Sequence, residues 1–211
     1  MKFNNYFDKT FVINIESRKD RWAHALSQAA EHGMSFERFN AYSGIEFEGK
    51  VNGNVGCTAS HRGILEVINY HRYEKTLVLE DDFQFEYPPE KVDEIFSSFM
   101  ANVPDDWDIL YFGCHYGSKP RERIASNVIR PDRVLTTSSY AIRGKAARFL
   151  APHIYGSGGI DSFYSNFSDK LNYYVVSPRF LTQYASVSDL TGLFTDNAQC
   201  MRDPNHEKMV C

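Results

Sequence analysis

The chain has 211 residues, 43% of them hydrophobic and 24% charged, with a net charge of −4. That balance excludes intrinsic disorder, which needs low hydrophobicity and high net charge, and it lacks the basic bias expected of a nucleic-acid-binding surface. No apolar run reaches the roughly 18 residues that a membrane-spanning helix needs.

The opening segment MKFNNYFDKTFVINI has Asp8 and Lys9 among its apolar residues, unlike a cleaved leader. Cys57, Cys114, Cys200 and Cys211 form no CxxC pair and read as small apolar residues. A reducing compartment, the cytoplasm, is therefore the expected location. The length fits one domain over 1–211, and the chain also reads as a domain cut from something longer.

Thr10–Ile15 (TFVINI) reads as a buried strand rich in β-branched residues. Ser17 reads as the N-cap of a helix over 18–32, where Trp22, Ala25, Leu26, Ala29 and Ala30 recur at helical spacing before Gly33 stops the run. Phe36–Phe39 reads as a short strand, and Asn52–Gly56 (NGNVG) as a turn-rich loop. A helix is expected over 58–71, with Ile64, Leu65, Val67 and Ile68 on its apolar side. Thr76–Leu79 is a short apolar strand that ends in Glu80, Asp81 and Asp82. Pro88 and Pro89 introduce a helix near Glu90–Met100, where prolines are well placed. Trp107–Phe112 (WDILYF) is another buried strand, closed by Gly113. Gly117–Arg130 is polar and basic and reads as a loop or lid. A strand within Arg133–Ile142, a helix at Gly144–Leu150, a flexible turn at 156–159, a helix at Asp161 and a last strand at Tyr173–Val176 follow. The polar tail Thr195–Cys211 is expected to wrap the surface. This alternation of strand and helix predicts an α/β fold with helices on both faces of one sheet.

The acidic triplet is the most informative feature. Ligands of parallel sheets bind beyond the carboxyl ends of the strands, where Glu80, Asp81 and Asp82 stand. Three adjacent carboxylates repel one another and lose water there, a cost that a hard divalent cation offsets with oxygen ligands. Alternate residues of an extended chain point the same way, so Glu80 and Asp82 can face one metal while Asp81 points elsewhere. Such a metal stabilises the charge on a departing diphosphate. The other reading is an acidic, solvated turn.

Four segments together resemble glycosyltransferase family 25, which includes lipopolysaccharide sugar transferases, collagen galactosyltransferases and enzymes of large DNA viruses. They are VINIESRKDRW (Val12–Trp22), GCTASH (Gly56–His61), LVLEDDF (Leu77–Phe83), and the looser set TTSSYAI (Thr136–Ile142), GGID (Gly158–Asp161) and SVSD (Ser186–Asp189). The chain departs from the family at Gly159, where a proline often precedes the aspartate by two residues. The resemblance implies the GT-A type fold: a single mixed, mostly parallel central sheet flanked by helices, with a nucleotide-binding part at about 8–115 and an acceptor side at about 116–195. It implies a manganese (or magnesium) ion, a UDP-sugar donor carrying a hexose or deoxyhexose, a glycan or glycoprotein acceptor, and inversion at the anomeric carbon.

The loop after the first strand is expected to meet the nucleotide. Asn14 could read a uracil edge, and Glu16, Arg18 and Arg21 are further donor-binding candidates, the arginines with bidentate capacity toward phosphate. Their other reading is a charged helix start. Ser60 and His61 are candidates for donor phosphate or sugar, and His61 reads equally as a hydrogen-bonded structural residue. His115 and Tyr140 carry the same ambiguity. Asp81 is a candidate for a sugar hydroxyl, and Arg121 and Arg123 for covering the diphosphate. Asp161 is the candidate general base, with a helix N-cap as its other role, and Asp189 is the alternative base. Two other functions use the same residues: a metal-dependent phosphatase or nuclease, and a non-catalytic sugar- or nucleotide-binding domain.

Overall fold

The computed structural model describes residues 1–47, 50–116, 120–156, 158–189, 192–198 and 201. Strand β1 (Lys9–Asn14) is buried after its first residue, with Phe11 and Ile13 on one face and Val12 on the other. It leads into α1 (Lys19–His32), which ends at Gly33 in the left-handed conformation, as the sequence predicts. Ser17 is not the cap. A tight turn joins the Arg18 amide to the Ile15 carbonyl, Lys19 bonds the Ser17 carbonyl, and the cap position falls on Arg18 without a side-chain bond. Strand β2 (Glu37–Asn40) then pairs in parallel with β1.

A hairpin of β3 (Ile45–Phe47) and β4 (Lys50–Asn52) precedes α2 (Gly53–His71). The expected NGNVG loop is mostly helix, because α2 starts at Gly53. Gly56 is required there for closeness: an added Cβ would collide with the Tyr42 carbonyl oxygen and lie 2.7 Å from the Gly44 amide nitrogen.

Strand β5 (Lys75–Glu80) carries the acidic end, followed by β6 (Phe83–Phe85) and by α3 (Pro89–Asn102), which has proline in its first turn. Strand β7 (Ile109–Tyr116) runs through Gly113 rather than closing at it. A Cβ at Gly113 would lie 2.5 Å from the Leu181 carbonyl oxygen, so glycine serves close approach, not chain reversal. The basic segment is a hairpin of β8 (Pro120–Ala125) and β9 (Val128–Pro131), not a loop: buried Val128 and Ile129 tie it to the core despite its charges. Then come β10 (Val134–Arg143), α4 (Gly144–Leu150), α5 (Ile160–Ser165) and β11 (Tyr173–Val176). Strand β11 is not the last, since β12 (Leu181–Gln183), β13 (Ser186–Val187) and β14 (Phe194–Thr195) follow. Most of the predicted tail, and residue 157 of the predicted flexible turn, lie outside the described residues.

Eight strands form one sheet in the order β2-β1-β5-β10-β7-β11-β9-β8. Strands β2, β1 and β5 are mutually parallel, β11 is parallel to β7, and β10 runs antiparallel between β5 and β7. The sheet is thus mixed and mostly parallel, with a core on each face. One core packs Ile64, Leu65 and Ile68 of α2 and residues of α4 and α5 against Phe11, Val78 and Tyr140. The other packs α1, α3 and β6 against Val12, Leu77 and Leu79, and includes Phe3 and Phe112 in edge-to-face contact. No helix among the described residues is long and apolar enough to cross a membrane.

Gly56→Ala should lower stability by about 1–3 kcal/mol, the usual cost of forcing atoms into a packed site. Urea denaturation of the variant beside the parent checks this.

Candidate active site

The ends of β1 and β5 and the first half of β10 open onto a cavity of about 640 Å³. Small-molecule sites commonly enclose roughly 300–1,000 Å³. Five carboxylates line this cavity: Glu80, Asp81, Asp82, Asp161 and Asp189.

The triplet is held from three directions. Asp81 turns away from its neighbours, accepting hydrogen bonds from Asn14 Nδ2 at 2.5 Å and Arg21 Nη1 at 3.0 Å. Arg21 Nη1 also lies 3.2 Å from Asp82. Glu80 and Asp82 converge on one atom: Gln183 Nε2 donates to Glu80 Oε2 at 3.2 Å and to Asp82 Oδ1 at 3.1 Å. Thr137 Oγ1 donates to Glu80 Oε1 at 3.3 Å. The strand ends at Glu80 and the chain turns through Asp81 and Asp82, so this turn, and not strand alternation, brings Glu80 and Asp82 to Gln183 while Asp81 meets Asn14 and shares Arg21 with Asp82.

Charge at this point is under-compensated. Burial, then the Glu80 charge, pushes the Asp82 carboxyl up to about 7 despite Arg21. Asp81 is also raised, first by burial, although Asn14 and Arg21 oppose the shift. Burial by itself would lower Arg21, but the charges of Asp82 and Asp81 outweigh it and hold the guanidinium above its usual range.

Asp161 faces this cluster from α5. Gly159 holds the cap position, so Asp161 is a residue within the first turn rather than the N-cap. Its Oδ1 accepts the Ser162 amide at 2.7 Å and its Oδ2 the Thr136 amide at 3.4 Å. Thr136 has φ of +69°, an uncommon conformation for a β-branched residue, and it lies where the β10–β7 register shifts. Such backbone costs about 1–3 kcal/mol and persists where its surroundings enforce it. The irregularity turns the Thr136 amide to Asp161 while Thr137 reaches Glu80.

The other predicted residues divide by position. Asn14 is buried and does not line the cavity, because its carboxamide is engaged by Asp81 and the Arg18 carbonyl. Glu16 is exposed and outside the cavity. Arg18 grips Asp189 at 2.7 Å and Asp20 at 2.9 Å, and these bonds, that to Asp20 first, raise its affinity for its proton. Arg21 joins the same group through Ser186 Oγ at 2.8 Å and the Val187 carbonyl at 3.0 Å. Asp189 is therefore committed to Arg18, whereas Asp161 accepts the Thr136 and Ser162 backbone amides. Ser60 lines the cavity and also staples the chain, donating to the Gly56 carbonyl at 2.7 Å and accepting the Tyr42 amide at 2.9 Å. His61 bonds Tyr140 and Glu80, at 2.9 and 3.3 Å. His115 lines the cavity; Tyr140 is core, stacked on His61. Arg123 bonds the Ser126 carbonyl in the hairpin and does not line the cavity; the Arg121 side chain lies outside the described residues. Gln183 and Thr137 are site residues that the sequence does not single out, although Thr137 lies within the TTSSYAI segment. Neither belongs to a titratable cluster, and only the distant pairing of β12 with β6 brings Gln183 to the triplet.

The mixed sheet flanked by helices, with an acidic strand end beside a cavity of small-molecule size, defines a domain of the GT-A type. The sequence pattern of glycosyltransferase family 25 (LPS biosynthesis protein) matches residues 7–157, and the chain belongs to that family. Procollagen galactosyltransferase 2 of Homo sapiens is 25% identical over 173 residues, 68% of this chain and 27% of that protein. A probable inactive glycosyltransferase 25 family member 3 of Rattus norvegicus is 26% identical over 156 residues, 64% and 27%. The chain spans about a quarter of the length of these curated relatives. Among solved structures, A197 from STIV superposes with a TM-score of 0.52 over 88% of this chain and 91% of that one, at 10% identity, a likeness of fold alone.

Two substitutions should move stability in opposite directions. Arg21→Met strands Asp81 and Asp82 and should cost about 3–5 kcal/mol in urea denaturation. Asp82 binds its proton more tightly folded (about 7) than at its ordinary value of 3.8, so folding stability falls as pH rises through that window. Asp82→Asn should flatten this decline and raise Tm in EDTA at pH 8, by about 2–4 °C per kcal/mol recovered. Calorimetric melts between pH 5 and 8 are the check.

Proposed function

We propose that this domain transfers a hexose or deoxyhexose from a UDP-sugar to a hydroxyl of a glycan or glycoprotein acceptor, with inversion. The observation that carries the reading is the convergence of Glu80 and Asp82 on one point of a cavity that Asp161 also lines. Family membership and the likeness to a procollagen galactosyltransferase support it.

The donor set fits manganese or magnesium. Two carboxylates aimed at a shared position, with Asp82 raised by burial and Glu80, form an oxygen-rich place short of positive charge. Glu80 and Asp82 would hold the ion, which when bound neutralises charge on the leaving diphosphate. Asn14 and Arg21 keep Asp81 out of this set and hold the strand end in place. Arg18 is not among the residues that line the cavity, but it holds Asp189, which is, and can exchange that carboxylate for phosphate. Asp161 takes the acceptor hydroxyl's proton as that oxygen bonds the anomeric carbon and the bond to the diphosphate oxygen breaks. The Thr136 and Ser162 amides orient its carboxylate for that transfer.

A non-catalytic binding domain is the second reading, favoured by the relative described as probably inactive. Calorimetry with UDP should show binding that needs manganese and is lost with EDTA or in Asp82→Ala. Asp161→Asn should keep that binding and lose transfer by about 10²–10⁴-fold. Absence of UDP binding in every condition sinks the donor assignment. Binding without turnover in the parent selects the second reading.

A further inference from the structure

Cys57, His61 and Glu80 form a cluster whose ligand atoms all lie within 4.8 Å of one another, the one such His/Cys/Asp/Glu group among the described residues. Cys57 and His61 stand one turn apart on α2, so both side chains leave the same face. Glu80 meets them from the end of β5, and all three line the cavity. Asp82 is not part of the group. We propose that Cys57 Sγ, His61 Nε2 and Glu80 form a second cation site, selective for a thiophilic ion such as Zn²⁺, with a fourth position open to the cavity.

Three observations support the site. The first is spacing. His61 Nε2 and Glu80 Oε1 are 3.3 Å apart. Bonds of about 2.0–2.1 Å at tetrahedral angles set two ligands roughly 3.3 Å apart. The second is charge: burial, then the Glu80, Asp161 and Asp82 carboxylates, keep the Cys57 thiol protonated while no cation is bound, and a divalent ion reverses that balance, its two charges matched by one thiolate and one carboxylate beside a neutral imidazole. The third is the support behind the histidine. His61 Nδ1 lies 2.9 Å from the Tyr140 hydroxyl, itself 3.1 Å from the Tyr164 hydroxyl, both buried. A hydroxyl chain can run in either direction. Without an ion, Tyr140 donates to Nδ1 and the Nε2 proton faces Glu80. With an ion, the Nδ1 proton faces Tyr140 and the Nε2 lone pair is released, the usual arrangement behind a metal-bound histidine. The step balances as one metal–sulfur bond formed and one thiol proton released to solvent, with the histidine changing tautomer only.

Soft and hard cations would then compete for Glu80. That corollary rests on the manganese site proposed above; the Cys57 site itself does not.

Cobalt(II) is the probe, because a thiolate ligand gives a charge-transfer band that oxygen and nitrogen ligands do not. The full chain, stripped with EDTA and titrated with Co²⁺ in the absence of nucleotide, should show that band saturating at one equivalent, and Zn²⁺ should abolish it. Cys57→Ala should remove the band and weaken Zn²⁺ binding at least about 100-fold. Cys57→Ser, of near-native volume, is the second variant should the first lose its cooperative melt. No thiolate band in the parent, or a band that survives in a folded Cys57 variant, overturns the site. Either result leaves UDP and manganese binding to be judged by its own titration.

Discussion

Three consecutive carboxylates at the end of one buried strand set the terms for the rest of the molecule. Glu80, Asp81 and Asp82 cannot all be charged and desolvated without compensation, and one guanidinium supplies much of it. Arg21 is fixed in turn by Ser186 and the Val187 carbonyl, so a helix near the N-terminus and a strand near the C-terminus clasp the same charge. The compensation is incomplete, as the raised Asp82 carboxyl records. The cation proposed for this site would make use of that shortfall, at a cost in the stability of the empty protein.

The second constraint is backbone shape. Strand β10 enters the sheet against its neighbours and breaks register beside the cavity, with Thr136 in a conformation that glycine would adopt more readily. The irregular stretch meets Glu80 through the Thr137 hydroxyl and Asp161 through the amide of the preceding Thr136. The two sides of the cavity are thereby tied to a rigid sheet rather than to separate loops, which suits reacting groups that must keep a fixed separation.

Much of this was legible in the residues, for reasons that can be named. Strands β1 and β5 are apolar, β-branched and closed by polar residues, so both their existence and their ends could be read. Helix α1 shows helical spacing and a terminal glycine. What failed was read from single residue types without partners. NGNVG looks like a turn, yet its glycines begin a helix because another backbone lies against Gly56. Basic residues hid the β8–β9 hairpin, whose few apolar residues are buried. The antiparallel insertion of β10 leaves no mark in a linear pattern. Among site residues, the carboxylates stood out by charge, but Gln183 is an ordinary amide in a three-residue strand and acquires its place only through pairing across about 100 positions.

The place of β12 has a consequence for biosynthesis. Gln183, Ser186, Val187 and Asp189 all come after residue 157, where the family pattern ends. A ribosome-bound chain that has exposed only that earlier region carries the acidic strand end without the amide that bridges it or the strand that anchors Arg21. Asn14 and Arg21 can meet the acidic strand end from the outset, but the bridge from Gln183 and the hold on Arg21 by Ser186 and Val187 are added only when that later segment has emerged.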